Sequence, residues 1–364
     1  MNLIPLIDAL GETAAAAAGG AVLGLFFGFF AQRSAFCTRS AVLDITRGRD
    51  LRALAVWLAG FAIAVLGVQW LLYRGSISVV ETRFFGTPQS LSGAVAGGLL
   101  FGAGMALARG CVSRLLVLGA SGNLRALFCI LVIGLVGWMT YDGVLVPLRD
   151  WLGAFANTTA IGGNDLLALG GLEQGFGVAL GLAAAIAAAI VCYRARPGLW
   201  SVLGGIGVGL TVVGGWFFTY QLSTQVFEPI QAESLSFVRP LATTADLSIG
   251  AATAVGLDQG LLAGTLIGAF LAALSFRDFR LVGFGEPGTP SILRYAAGSV
   301  LMGFGGILAV GCTIGAGFTG GSVLAVSSLL ALISMIAGTA LTDRLVDGRR
   351  AGAVSLPAGA MPAE

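Results

Sequence analysis

Three cysteines in glycine-rich surroundings are the residues of this chain whose types and spacing suggest chemistry. Cys111 closes GAGMALARGC at 102–111, and Cys312 closes GFGGILAVGC at 303–312. Both fit G-x-G-x-x-L-A-x-G-C, and eight residues past each cysteine a second match follows, GAS at 119–121 and GGS at 320–322. Cys37 shares only an upstream glycine, Gly28, nine residues before it, as Gly102 precedes Cys111 and Gly303 precedes Cys312. Gly207 stands at the same interval before Trp216, which reads as interfacial packing. Cys129 in LFCIL and Cys192 in IVCYR lack such a context and read as small apolar fillers.

A thiol offers a weak S–H donor, a weak acceptor and a soft, polarizable sulfur. A conducting path needs sites that hold a solute well enough to replace water, yet weakly enough to release it. Hard oxyanions are better served by arginine or backbone N–H groups. A series of thiols suits a solute that itself exposes soft sulfur. The residues therefore point to passage of a small sulfur-containing anion, with Cys111 and Cys312 as candidate sites and Cys37 open between that role and a small apolar filler. Gly110, Gly311, Thr313, Ser121 and Ser322 are candidate path-lining residues beside them. Arg109 and Arg114 read first as inner-face anchors, with lining of the anion path as the second reading.

Two other readings use the same residues. A membrane thiol–disulfide oxidoreductase wants cysteines within disulfide reach, commonly C-x-x-C, and an electron-acceptor site. The five cysteines, at 37, 111, 129, 192 and 312, form no C-x-x-C and no zinc-type spacing. A sensor or scaffold would bind the anion and signal through arginine-rich loops. No metal, no cofactor and no enzymatic activity are expected, and the absence of histidine removes the commonest metal and acid–base side chain.

The elements that must position these thiols are membrane helices. Of 364 residues 57% are hydrophobic and only 10% charged, with a mean hydropathy of +0.92. Soluble domains carry about 25% charged residues. The net charge of +2 makes no case for nucleic acid; the partner implied is the lipid bilayer. Hydropathy cuts the chain into nine spans, near 15–36, 53–73, 90–109, 126–147, 172–193, 199–218, 254–276, 291–311 and 325–341. The fold class is an all-α polytopic membrane protein. No cleavable signal peptide is expected, because no basic segment precedes the first apolar run.

All twenty basic residues are arginine, and with alternating loops sixteen fall on one side and four, Arg74, Arg83, Arg149 and Arg239, on the other. The positive-inside rule then sets the N-terminus outside and the C-terminus inside. The spans ending at Cys111 and Cys312 run in opposite directions, which predicts an inverted-topology repeat. Its first half would be 1–150, a connector with the fifth span 151–198, the inverted second half 199–343, and 344–364 a flexible tail. The polar segment 219–253 reads as an external loop with partial structure. The stretches after Cys111 and Cys312 are too short to cross a bilayer and read as re-entrant half-helices, with TRSAVLDI after Cys37 as a third.

FCTRSA at 36–41, GCVSRLLVLGASGN at 110–123 and GCTIGAGFTGGS at 311–322 resemble the YeeE/YedE family of sulfur transport proteins over nearly the whole chain. The resemblance implies an hourglass with openings at both faces, and three cysteines at the waist that pass thiosulfate by S–H···S contacts. By motif these are Cys37, Cys111 and Cys312. It further implies import across a bacterial inner membrane, with a periplasmic N-terminus and a cytoplasmic C-terminus. A separate cytoplasmic carrier of the TusA type would accept the sulfur. Sulfite and selenium analogues remain alternative substrates at this level.

Overall fold

Glycine sets how closely the helices of this protein approach. A computed structural model describes residues 3–226, 230–249, 255–286 and 289–348. Its helices are α1 Ile4–Leu10, α2 Glu12–Arg33, α3 Thr38–Thr46, α4 Arg52–Tyr73, α5 Leu91–Ala108, α6 Val112–Ala120, α7 Leu124–Tyr141, α8 Val146–Gly153, α9 Leu166–Leu169, α10 Gln174–Ala195, α11 Leu199–Ser223, α12 Val238–Ile249, α13 Leu257–Ser275, α14 Ile292–Leu308 and α15 Val326–Val346. A π-helical segment, Thr313–Gly320, separates the last two.

Among the described residues nine helices are long and apolar enough to cross a membrane, matching the nine expected spans. Lipid offers no hydrophobic drive between helices, so close packing must hold them. On α2, Gly20, Gly24 and Gly28 face the backbone of α13 at Leu257, Leu261 and Thr265. On α13, Gly260, Gly264 and Gly268 face Ala17, Ala21 and Leu25 in return. A Cβ at any of these six positions would overlap a carbonyl oxygen of the other helix. The G-x-x-x-G spacing on both helices presents these glycines as one stripe.

The same use of glycine recurs deeper in the bundle. Gly102 of α5 abuts the α15 backbone at Met335 and Thr339, and Gly303 of α14 abuts α7 at Ile133 and Val136. Gly28, Gly102 and Gly303, which share their spacing to the cysteines, are therefore helix-contact residues. Trp216 is fully buried inside α11, not interfacial, and donates its Nε1–H to the Thr319 carbonyl at 3.3 Å.

The pairings repeat in order along the chain. Helix α2 packs on α13 as α11 packs on α4, α5 packs on α15 as α14 packs on α7, and α3 sits on α4 as α12 sits on α13. Polar caps fix where the later helices begin. Asn123 Oδ1 accepts the Ala126 N–H at the start of α7 at 3.2 Å. For α15 the cap comes from elsewhere: Asn164 Oδ1 accepts the Ser327 N–H at 2.8 Å.

Two segments differ from the sequence reading. The polar stretch 219–253 opens with the last turn of α11 and contains α12, and residues 232–238 between them are buried. Thr219 ties Glu233 at both backbone groups, and Ser234 Oγ donates to the Val212 carbonyl at 2.6 Å. The expected tail at 344–364 begins with the last residues of α15, and Asp347, just past the helix, pairs with Arg294 at 2.7 Å. That pairing holds the Asp347 carboxyl below the usual carboxylate range. The remainder of that tail, 349–364, lies outside the described residues.

Candidate functional site

Each of the three cysteines is the residue that starts a short helix after a sharp backbone reversal. Cys37 precedes α3, Cys111 precedes α6, and Cys312 precedes the π-helical segment. All three have extended backbone. Two residues before each, a non-glycine takes a left-handed conformation: Ala35 at φ 51°, Arg109 at φ 61° and Val310 at φ 60°. Such conformers cost about 1–3 kcal/mol each and persist where the surroundings impose them. For the β-branched Val310 it is an outlier conformation. Short helices thus follow all three cysteines, α3 included.

Their thiols are buried, Cys37 at 6% exposure and the other two at 0%. Cys37 and Cys111 are near enough for each thiol to act on the other. Cys111 Sγ also lies 3.3 Å from Ser113 Oγ. The Arg114 charge acts on both thiols, and its Nη1 is buried without a partner among the described residues. Arg109 is exposed and lines a cavity of about 270 Å³ with Arg39, Asn123, Arg125 and Tyr295. A second cavity, about 340 Å³, reaches Cys37 between Phe36, Ser40, Arg52, Pro197 and Ser201. Both open at the arginine-rich end of the bundle.

Cys312 is set apart from this pair. Gly315 donates its N–H to the Cys312 sulfur at 3.5 Å, and the amides of Phe237 and Val238 at the start of α12 face it too. Two helix N-termini thus converge on one thiol, a setting that favours negative charge. The hydroxyls of Thr313 and Ser236 are buried there without partners among the described residues. Gly311, at φ 152°, allows the turn into this site; a Cβ would lie 2.7 Å from the Ala316 nitrogen.

A box of aromatic rings joins the turn at Cys37 to the π-helical segment that follows Cys312. Phe318, in the π-helical segment, packs edge-on against Phe36, Trp57 and Phe61 at centroid distances of 5.4, 5.2 and 5.5 Å. Trp57 also donates to Thr38 Oγ1 at 3.0 Å, tying the box to the turn at Cys37.

Ser121 and Ser322 have structural duties. Ser121 Oγ donates to the Val117 carbonyl at 2.8 Å, and Ser322 Oγ to the Thr319 carbonyl at 2.9 Å. Gly110 needs no unusual backbone; the left-handed residue is Arg109 beside it. Cys129 lies within α7, and Cys192 Sγ contacts the Ala55 carbonyl at 3.6 Å.

Residues that the sequence reading did not single out complete the Cys312 side. The loop after α4 carries Arg83 inward, and its charge acts on Cys312. Arg83 Nη2 lies 2.6 Å from Glu233 Oε1, and Arg239 Nη1 lies 2.6 Å from Glu233 Oε2. Arg239 also contacts Asp258 at 3.1 Å. Burial draws the Arg83 guanidinium below its ordinary range, while Glu233 foremost, with Asp258, pushes Arg239 well above it. A vestibule of about 530 Å³ is lined by Ser78, Glu81, Thr82, Tyr220, Gln231 and Ala232, the last next to Glu233 in the chain and Thr82 next to Arg83. Alternation in ESLSF at 233–237 was a signal for a buried extended segment there.

Residues 33–341 match the family whose description is sulphur transport. The chain belongs to that family. Its members are transporters by that description, and this one is a multi-pass membrane protein. Two curated relatives share its length. A protein named thiosulfate transporter TsuA from Spirochaeta thermophila is 27% identical over 348 residues, covering 88% of this chain and 96% of its own. A second of that name, from Escherichia coli, is 24% identical over 344 residues, 90% of this chain and 94% of its own.

Proposed function

We propose that this family member imports thiosulfate, or a closely related sulfur-containing anion, across a bacterial inner membrane. The observation that carries the reading is the shared setting of Cys37, Cys111 and Cys312: three buried thiols at the starts of three short helices. The names of both relatives support the substrate. The arginine distribution supports a periplasmic N-terminus and a cytoplasmic C-terminus. The recurring helix pairings and the opposed Cys111 and Cys312 motifs support an inverted duplication about α10, with halves at 1–150 and 199–343.

The anion enters by the vestibule beside Arg83, and its charged oxygens meet the amides and free hydroxyls around Cys312. Its terminal sulfur faces the thiol. It then passes the Phe318 box, by movement of those rings, to the Cys37–Cys111 pair, where Arg114 supplies a buried positive charge. The two inner cavities release it.

Bringing a dianion into a negative interior costs about 4.6 kcal/mol at 100 mV. Inward flow therefore needs a steep gradient, a coupled ion or rapid consumption inside. A separate carrier of the TusA type, drawing sulfur from the inner mouth, would supply the last. The reading is tested by sulfur-35 thiosulfate uptake in cells stripped of other sulfur routes. Saturable uptake that Cys111→Ala and Cys312→Ala each abolish is the expected result. Uptake equal to that of cells without the protein would overturn it. Preferential competition by sulfite or selenosulfate would reassign the substrate.

A further inference from the structure

Glu233 holds a position that a carboxylate needs a reason to occupy. Its side chain is 3% exposed, its Oε1 lies 2.6 Å from Arg83 and its Oε2 lies 2.6 Å from Arg239. The two arginines are not equivalent. Arg239 is bound a second time by Asp258, through Nη2 at 3.1 Å and Nε at 3.3 Å. For Arg83, Glu233 is the paired carboxylate among the described residues, and its Nε is buried with no partner there.

The two ends of the Arg83–Glu233 pair are anchored in different ways. Gln89 Nε2 donates to the Arg83 carbonyl at 2.6 Å, and Arg83 stacks over the Phe84 ring at 4.7 Å. Phe84 is buried against Trp216, at 6.1 Å between ring centroids. Arg83 is thus fixed to the body of the protein. Glu233 is fixed at its backbone, by Thr219, and its carboxylate is shared between Arg83 and Arg239. Arg83 and Glu233 each follow a residue of the vestibule wall, Thr82 and Ala232, and the Arg83 charge also acts on Cys312.

We propose that Glu233 is a built-in stand-in for the substrate anion: it occupies the Arg83 guanidinium when the path is empty, gives it up to the incoming anion, and reclaims it to release that anion towards Cys312. This deepens the proposed thiosulfate import and rests on it. Carboxylates and sulfur oxyanions make the same charge-assisted contacts to a guanidinium, so the two compete for one place. A resident competitor lowers apparent affinity by the fraction of time it holds the site. It also keeps the outer site from becoming a trap, since conduction fails where binding is too tight.

The test is calorimetric titration of detergent-purified protein with sodium thiosulfate, alongside uptake kinetics. In Glu233→Gln the Kd is expected to fall, by about tenfold if the carboxylate holds Arg83 nine-tenths of the time. Uptake should show a lower KM with a lower maximal rate. Glu233→Asp, which keeps the charge but retracts it by one methylene, should shift both in the same direction and covers the case in which glutamine misfolds. A purely structural role would lower the melting temperature without tightening binding. Unchanged or weaker binding by folded Glu233→Asp, or an unchanged KM, overturns the inference alone. Failure of the parent protein to bind or import thiosulfate overturns the proposed function, and the inference with it.

Discussion

The thiols of Cys37 and Cys111 are buried as neighbours that act on one another, although one follows α2 and the other follows α5. Each arrives there by the same reversal, with a left-handed Ala35 or Arg109 two residues earlier. In the proposed path these two neighbouring thiols form one station, so losing either should stop passage while the fold remains. Cys37→Ala is expected to lose most thiosulfate uptake at near-normal protein level. Cys129→Ala and Cys192→Ala, which change thiols on α7 and α10, should stay close to the parent. Uptake rate normalised to immunoblot signal is the measurement; a large loss from either control would mean that the relay runs elsewhere.

The α2–α13 stripe makes a separate prediction about assembly. Gly264 packs its α-carbon against the Ala21 backbone, leaving no room for a side chain. Gly264→Leu should destabilise the protein by about 1–3 kcal/mol or block its assembly, as overpacking does elsewhere. Gly283, where an added Cβ would meet nothing within 4 Å, should accept alanine silently. Melting temperature and monodispersity in detergent decide the matter.

The nine spans were legible because an apolar stretch long enough to cross a bilayer is a strong signal. Cys111 and Cys312 were legible because their flanking residues repeat. Cys37 was not, from repetition alone, because what it shares with them is a backbone shape carried by Ala35, Arg109 and Val310, three unrelated side chains. The spacing of Gly28, Gly102 and Gly303 left helix packing and a site equally open, and all three serve contacts between helices. Arg83, Ser236 and Glu233 escaped notice because their burial depends on long-range ties, such as Thr319 Oγ1 to the Leu235 carbonyl at 2.6 Å. Local polarity marks such a segment as a loop, whatever later covers it.

Orientation can be read directly. Gly48, between α3 and α4, and Thr159, between α8 and α9, are both exposed and lie on opposite ends of the bundle. A cysteine-specific impermeant label on Gly48→Cys should react only in inverted vesicles, and on Thr159→Cys only in intact spheroplasts. The reverse pattern would turn the transporter round and make its outer vestibule an inner one.

The last prediction concerns what the thiol itself contributes. Cys111 lies 3.3 Å from Ser113 Oγ, so a hydroxyl is already present beside it. Serine at position 111 would keep a small hydrogen-bonding group but remove the soft, polarizable sulfur. If the station only needs a polar contact, Cys111→Ser should retain most uptake. If sulfur must meet sulfur, it should be nearly as poor as Cys111→Ala. The second outcome is expected, because a buried thiol brings a liability to oxidation that serine lacks. A path that could run on hydroxyls has Ser113 at hand and no use for that risk. Initial rates of labelled thiosulfate uptake for the two variants, side by side and normalised to protein level, separate the cases. A serine variant close to the parent would leave the helical path standing and remove the reason for its cysteines.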